Sequence, residues 1–132
     1  MKYDFECLPE PHGIGRNPYR IELPWPPSVN TYWRNIGGRA IISKGGREYR
    51  RVAEVAVLVA GGRRNLIGAL SVSILAYPPD RRRRDLDNTL KAPLDVLARC
   101  GVYEDDSQIA RLLIERMAVS KPGRLVIEIV EL

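Results

Sequence analysis

One histidine, His12, and two cysteines, Cys7 and Cys100, are all the nitrogen and sulfur that this chain of 132 residues offers a soft metal. A zinc site needs about four such ligands in a recognisable cluster, so zinc is not expected. The cysteines lie far apart and form no C-x-x-C pair. A disulfide framework is therefore not expected, and reduced thiols fit a cytoplasmic protein. Long apolar runs are missing too. The most apolar stretch, "VAEVAVLVA" at 52–60, is short and carries Glu54, which argues against a membrane span. The opening "MKYDFECLPEPHG" has no apolar h-region, so it does not read as a secretory signal.

What remains suits one ordinary domain. Apolar residues make up 45% of the chain, enough to build a core. Lys and Arg number 21 against 16 Asp and Glu, a net charge of +5. That balance favours polyanionic partners without naming one.

Pro9, Pro11, Gly13, Gly15 and Pro18 mark residues 1–18 as an irregular arm, leaving 19–132 as the folded domain. "YRIEL" (19–23) alternates as a first strand. The prolines of "PWPPSVN" force an extended or turning segment. "TYWRN" and "RAIIS", separated by Gly37-Gly38, read as a hairpin. From Lys44 the period becomes helical, with Val52, Val55, Ala56 and Val59 on the apolar face and Gly61-Gly62 as the stop. Arg47, Arg50 and Arg51 take other faces, either solvated or turned to phosphate.

"ALSVSILAY" (69–77) is a strand with Leu70, Val72, Ile74 and Ala76 on one side, ended by Pro78-Pro79. Leu90, Leu94, Leu97 and Ala98 give a second helix its stripe, with Gly101 as its end. Pro93 requires a kink there, or a helix that begins after the charged motif. "SQIARLLIERMAV" and "RLVIEIVEL" flank a turn at Lys121-Pro122-Gly123 and are expected to pair as a hairpin. The expected fold is α+β: a single mixed β-sheet with two main helices packed on it.

The densest charge lies between strand and helix, in "RRRRDLDNTLK", residues 81–91. Two carboxylates about 4 Å apart repel by roughly 4 kcal/mol at an effective dielectric near 20. Asp85 and Asp87 therefore need arginines, protonation or a metal nearby. Their two-residue spacing puts both side chains on one side of an extended segment. They can cap the helix, pair with Arg81–Arg84, or converge on a cation. A third acid from Asp105-Asp106 would complete an all-oxygen site for a hard cation such as Mg²⁺. Lys91 follows Asp87 by four residues, so within one helix the two share a face. Either they form a surface pair, or the ammonium serves phosphodiester hydrolysis by stabilising charge on the phosphorus centre.

"RIELPWPPSVNTYWR", "PPDRRRRDLDNTLKAPLDVLARCGVYEDDSQI" and "KPGRLVIEI" together resemble the RusA-type Holliday junction resolvases, over roughly residues 19–132. The middle block, R-D-x-D-N-x-x-K followed by a short helix, a glycine, an aromatic and D-D, is the specific part. The resemblance implies a homodimeric, Mg²⁺-dependent endonuclease, with Mn²⁺ as a substitute, of a kind often carried by phages and prophages. Such enzymes cut four-way junction DNA by paired nicks in recombination and repair.

By the same resemblance Asp85, Asp87 and Asp106 hold the metal, Lys91 is the catalytic lysine, and Arg84 contacts DNA; a swap of roles between Asp105 and Asp106 stays open. The resemblance thus implies that Arg81, Arg82, Arg83 and Arg84 go to DNA and the aspartates to metal. Trp25 and Trp33 read as buried or interface residues more readily than as base-stacking platforms, and His12 as incidental. Two nicks need two sites, hence two chains about a two-fold axis, joined through the hairpin or strand edges. Two other readings stand beside this one: a branched-DNA-binding module that does not cut, and a metal-dependent nuclease acting on flaps or RNA. A cytoplasmic protein, on the nucleoid when bound to DNA and without membrane contact, is expected.

Overall fold

A computed structural model of the protein describes residues 18–132. The arm expected at its start, with Cys7 and His12, lies outside the described residues except for Pro18. The class is α+β, as expected. The elements run β1 (Tyr19–Pro24), α1 (Val29–Tyr32), β2 (Trp33–Ile36), β3 (Arg39–Ile42), α2 (Lys44–Val59) and β4 (Leu70–Tyr77). After a 3-10 turn at Leu86–Thr89 come α3 (Lys91–Arg99), a second 3-10 turn at Asp106–Gln108, β5 (Ile109–Arg116) and β6 (Arg124–Glu131).

The main sheet is mixed, in the order β1-β6-β4-β5, and the β2–β3 hairpin forms a separate two-stranded sheet. The hairpin is shorter than the sequence suggested, because Thr31 and Tyr32 belong to α1. Its turn is where expected: Gly37 and Gly38 both have positive φ, the left-handed pair that a tight hairpin demands.

The expected terminal hairpin does not form. β5 pairs in parallel with β4 at the sheet edge, whereas β6 lies between β1 and β4, antiparallel to both. The connector shows why. Leaving β5, Met117 donates its N–H to the Ala76 carbonyl at 2.8 Å and Ser120 to that of Pro78, also at 2.8 Å. The chain is thus carried across the end of β4 before it turns back. β6 also has the apolar alternation of a central strand, with Leu125, Ile127 and Ile129 buried, while β5 carries Arg111, Glu115 and Arg116.

One sheet face forms the core: Tyr19, Ile21 and Leu23 of β1 meet Leu125, Ile127 and Ile129 of β6, which meet Val72, Ile74 and Ala76 of β4. Side chains of α2 and α3 join the same cluster. The Leu70, Val72, Ile74, Ala76 face predicted for β4 is buried throughout.

α2 spans the expected residues but turns the other way. Its buried stripe is Gly46, Tyr49, Ala53 and Val57, and Val52, Val55 and Val59 face outward. The reason is close packing. A Cβ on Gly46 would come within 2.8 Å of the Tyr32 carbonyl oxygen, so only glycine lets the helix sit this near. Small Ala53 is fully buried on the same face, and the Tyr49 hydroxyl donates to the Pro24 carbonyl at 2.9 Å. Ser43 caps the helix, accepting from Gly46 N–H at 3.0 Å.

Pro93 is accommodated without a break, because α3 begins at Lys91 and places it in the first turn, where no helical N–H is required. A half-buried polar clamp ties α1, α2 and α3 together. The Tyr32 hydroxyl donates to Asp95 Oδ2 at 2.5 Å, and Arg50 reaches both the Tyr32 hydroxyl and Asp95 Oδ2 at 3.0 Å. Burial first, then the Asp95 carboxylate, push the Tyr32 hydroxyl up to about 12.

This strand order predicts an asymmetry in stability. Ile127→Ala, in the central strand and 0% exposed, should cost about 2–5 kcal/mol. Leu112→Ala, on the edge strand and 42% exposed, should cost under about 1.5 kcal/mol. Urea unfolding of both variants checks this, and a reversed ranking would remove β6 from the centre of the sheet.

Candidate active site

The charged motif occupies the crossing from β4 to β5. Pro78 and Pro79 end the strand, a loop carries Asp80 to Arg84, and Asp85 stands in extended backbone before the 3-10 turn. Thr89, buried, closes that turn by donating its hydroxyl to the Leu86 carbonyl at 2.6 Å. Lys91 opens α3 immediately afterwards. The interval from Asp87 to Lys91 therefore runs from a 3-10 turn into the start of a helix, rather than along one α-helical face.

The arginines do not neutralise the two aspartates. Arg84 pairs instead with Asp80, Nη1 to Oδ1 at 2.7 Å, and lies over the Trp25 ring at 5.6 Å. Arg82 adds a backbone N–H to Asp80 Oδ1 at 2.8 Å. These bonds, Arg84's first, pull the Asp80 carboxyl down to about 2. From β5, Arg116 donates to the Arg84 carbonyl at 2.7 Å and pins the loop to the sheet.

Asp85 makes no side-chain cap bond, so the capping role also lapses. Among the described residues, Asp85, Asp87 and Lys91 are exposed and have neither an ion pair nor a side-chain hydrogen bond. Arg81 and Arg83 are likewise exposed and form no ion pair there. Asp85 and Arg83 line an open cleft of about 610 Å³, together with Trp25, Asn30, Arg84 and Asn88 among others.

The acids of the second turn separate in role. Asp105 accepts from Ser107 N–H at 3.2 Å and caps Asp106–Gln108, with Gln108 Oε1 accepting from Asp105 N–H at 3.0 Å. Asp106 instead faces Tyr103, whose hydroxyl lies 3.1 Å from Asp106 Oδ1 and 2.7 Å from the Leu94 carbonyl in the first turns of α3. One hydroxyl proton thus serves two acceptors. Burial, then the negative charge of Asp106, push that hydroxyl well above the usual tyrosine range. Sequence reasoning had Tyr103 only as the aromatic of the motif, without a role for its hydroxyl, and missed Asp80; only the four-residue interval from Asp80 to Arg84 hinted at the second.

Unpaired carboxylate oxygens suit a hard divalent cation in kind. Their convergence is incomplete: among the described residues no three His, Cys, Asp or Glu side chains gather as a metal site. Asp85 and Asp87 lie on one side of the crossing, and Asp106 is engaged by Tyr103.

The comparisons with known proteins carry one class of description, endodeoxyribonuclease. The family model described as Endodeoxyribonuclease RusA matches residues 24–130. A crossover junction endodeoxyribonuclease of Enterobacteria phage 82 is 43% identical over 118 residues, covering 88% of this chain and 97% of the relative. The protein of that description from Escherichia coli strain K12 is 42% identical over 120 residues, with the same coverage. That of Enterobacteria phage HK97 is 41% identical over 118 residues, again covering 88% and 97%. The chain belongs to the RusA endodeoxyribonuclease family.

The Asp80–Arg84 pair predicts a titration. A carboxyl depressed in the folded state contributes stability above its unfolded value, near 3.8, and loses that contribution as pH falls through about 2. Carbon-detected NMR should find Asp80 titrating near 2, and Arg84→Ala should return it toward the ordinary aspartate range. An unchanged midpoint in that variant would dissolve the pair.

Proposed function

We propose that residues 19–132 form a divalent-metal-dependent endodeoxyribonuclease domain that resolves four-way DNA junctions by paired nicks, acting as a homodimer in the cytoplasm. The observation that carries this reading is the set of exposed Asp85, Asp87 and Lys91, unpaired among the described residues, beside an arginine loop in a chain of this family. Unneutralised carboxylates next to a phosphate track gain nothing for a pure DNA binder, since they repel the backbone. They gain a great deal if a cation joins them.

Asp85, Asp87 and Asp106 are the proposed ligands, and their oxygen donors suit Mg²⁺, with Mn²⁺ as a substitute. Such an ion supplies Lewis acidity and lowers the pKa of bound water. Lys91 would hold a non-bridging phosphate oxygen and stabilise the negative charge that grows there during displacement. Arg81, Arg82, Arg83 and Arg84 would hold the DNA backbone. Arg84 does so from a fixed position, because Asp80 and Trp25 already order it. A second chain supplies the second site, since this one offers a single set of Asp85, Asp87, Lys91 and Asp106.

Labelled four-way junction, duplex, flap and RNA substrates, each with and without Mg²⁺, test the activity. Junction cleavage should require the metal and stop on chelation. Asp87→Asn should abolish cutting yet keep or strengthen junction binding. Lys91→Ala should slow cutting by about 10²–10³-fold with binding retained. Parallel loss of binding and cutting would assign these residues to folding, and binding by wild type without cutting would leave a recognition module.

Salt separates the arginine roles. Each phosphate contact contributes about 0.9 to the slope of log affinity against log salt. Arg81→Ala with Arg83→Ala should therefore flatten the slope for junction binding by about two units. An unaltered slope would place both side chains in solvent.

A further inference from the structure

Tyr103 is 1% exposed, yet its hydroxyl serves two acceptors on different elements. The Leu94 carbonyl of α3, at 2.7 Å, already satisfies the buried donor. The second partner, Asp106 Oδ1 at 3.1 Å, is therefore not needed to keep the tyrosine in the core. Nor does the local fold need Asp106 for a cap, because Asp105 caps the 3-10 turn and Gln108 completes the box. Asp106 is half-buried, and among the described residues the Tyr103 hydroxyl is the one side-chain hydrogen bond it receives. Its other oxygen, Oδ2, has none there.

We infer that Tyr103 is a positioning residue for the metal site: its hydroxyl holds Asp106 by Oδ1 and so keeps Oδ2 turned out for the divalent cation. This rests on the reading of Asp106 as a ligand. A carboxylate free to rotate gives up that freedom when it takes an ion, whereas one held by a rigid ring has given it up in folding. The ring is enclosed by the core. Its backbone is bridged in parallel to Leu66, which donates its N–H to the Val102 carbonyl at 2.9 Å. The turn that carries Asp106 is fixed to the same place, since Gln108 Nε2 donates to the Leu66 and Gly68 carbonyls at 3.0 and 3.1 Å. Both ends of the Tyr103–Asp106 bond are thus anchored to one segment, residues 66–68.

Two opposed effects set the direction of the change when the hydroxyl is lost. A donor draws some negative charge from the carboxylate, which weakens its pull on a cation. It also fixes the carboxylate, which strengthens that pull. Orientation is the larger effect, since removing the outer hydrogen-bond partner of a metal ligand typically weakens metal binding by about 10–100-fold. The same hydroxyl joins Asp106 to α3 at Leu94, three residues beyond Lys91. The acid at the end of the crossing is thereby tied to the helix that opens with the lysine.

The test is Mn²⁺ binding to the full chain, followed by electron paramagnetic resonance of the free ion, at a temperature where metal-free melts show every variant folded. Tyr103→Phe keeps the ring and removes the hydroxyl, and it should weaken Mn²⁺ binding by about 10–100-fold. In junction cleavage it should raise the half-saturating Mg²⁺ concentration by a similar factor and leave the rate at saturating Mg²⁺ close to wild type. Asp106→Asn should weaken Mn²⁺ binding at least as much. Adding Tyr103→Phe to Asp106→Asn should then weaken it little further, because the hydroxyl acts through that carboxylate. Unchanged or tighter Mn²⁺ binding in Tyr103→Phe, beside weakened binding in Asp106→Asn, would overturn the positioning role and leave the ligand intact. Independent, additive losses would overturn it too, by making Tyr103 structural alone. Unchanged binding in Asp106→Asn would overturn the ligand reading and this inference together.

Discussion

Parallel pairing of β4 with β5 is the constraint on which the rest depends. Parallel neighbours cannot be joined by a tight turn, so the chain must travel from the end of one strand to the start of the next. That journey, residues 78–108, contains the arginine loop, the acid pair, α3 with Lys91 at its head, and Asp105-Asp106. The residues proposed for chemistry thus sit on a connection whose two ends are fixed by a sheet. α3 is held in turn by the Tyr32–Arg50–Asp95 clamp and by Tyr103 at the Leu94 carbonyl.

Within that crossing the charges are sorted rather than pooled. Asp80 occupies Arg84, and Asp105 occupies the cap of its own turn. Asp85 and Asp87 are left without partners among the described residues. A motif that reads as four arginines cancelling two aspartates is, in space, Arg82 and Arg84 turned to Asp80, with Arg81, Arg83 and both aspartates left unpaired among the described residues. Geometry of that sort keeps acids available to a cation and arginines available to an anion within a few residues of each other.

Much of this was legible in the sequence wherever a local rule decides the outcome. Alternation gave β1 and the buried face of β4, the Gly37-Gly38 pair gave the hairpin turn, and the block from Arg84 to Asp106 carried the family. The failures have a common cause, competition between distant partners. In α2 both stripes have helical spacing, and the more apolar one lost to Gly46, Tyr49 and Ala53 because fit against Tyr32 and the sheet decided the face. β5 and β6 each look like strands, but alternation cannot say that the connector would bind the carbonyls of Ala76 and Pro78 and so cross β4. Tyr103 stood in the motif only as its aromatic until folding set its hydroxyl between Asp106 and Leu94.

The position of β6 also has a consequence for biosynthesis. β1 and β4 do not touch each other in the sheet; each is bonded to β6, which follows both in the chain. A ribosome-bound chain can form the β4–α3–β5 unit early, but β1 has no strand to pair with until Arg124–Glu131 has emerged. Closure of the sheet is therefore a late event that joins the first and last described strands, a long-range pairing of the kind that slows folding. A chain that stalls before β6 lacks Leu125, Ile127 and Ile129 and cannot complete the core beneath the crossing at residues 78–108.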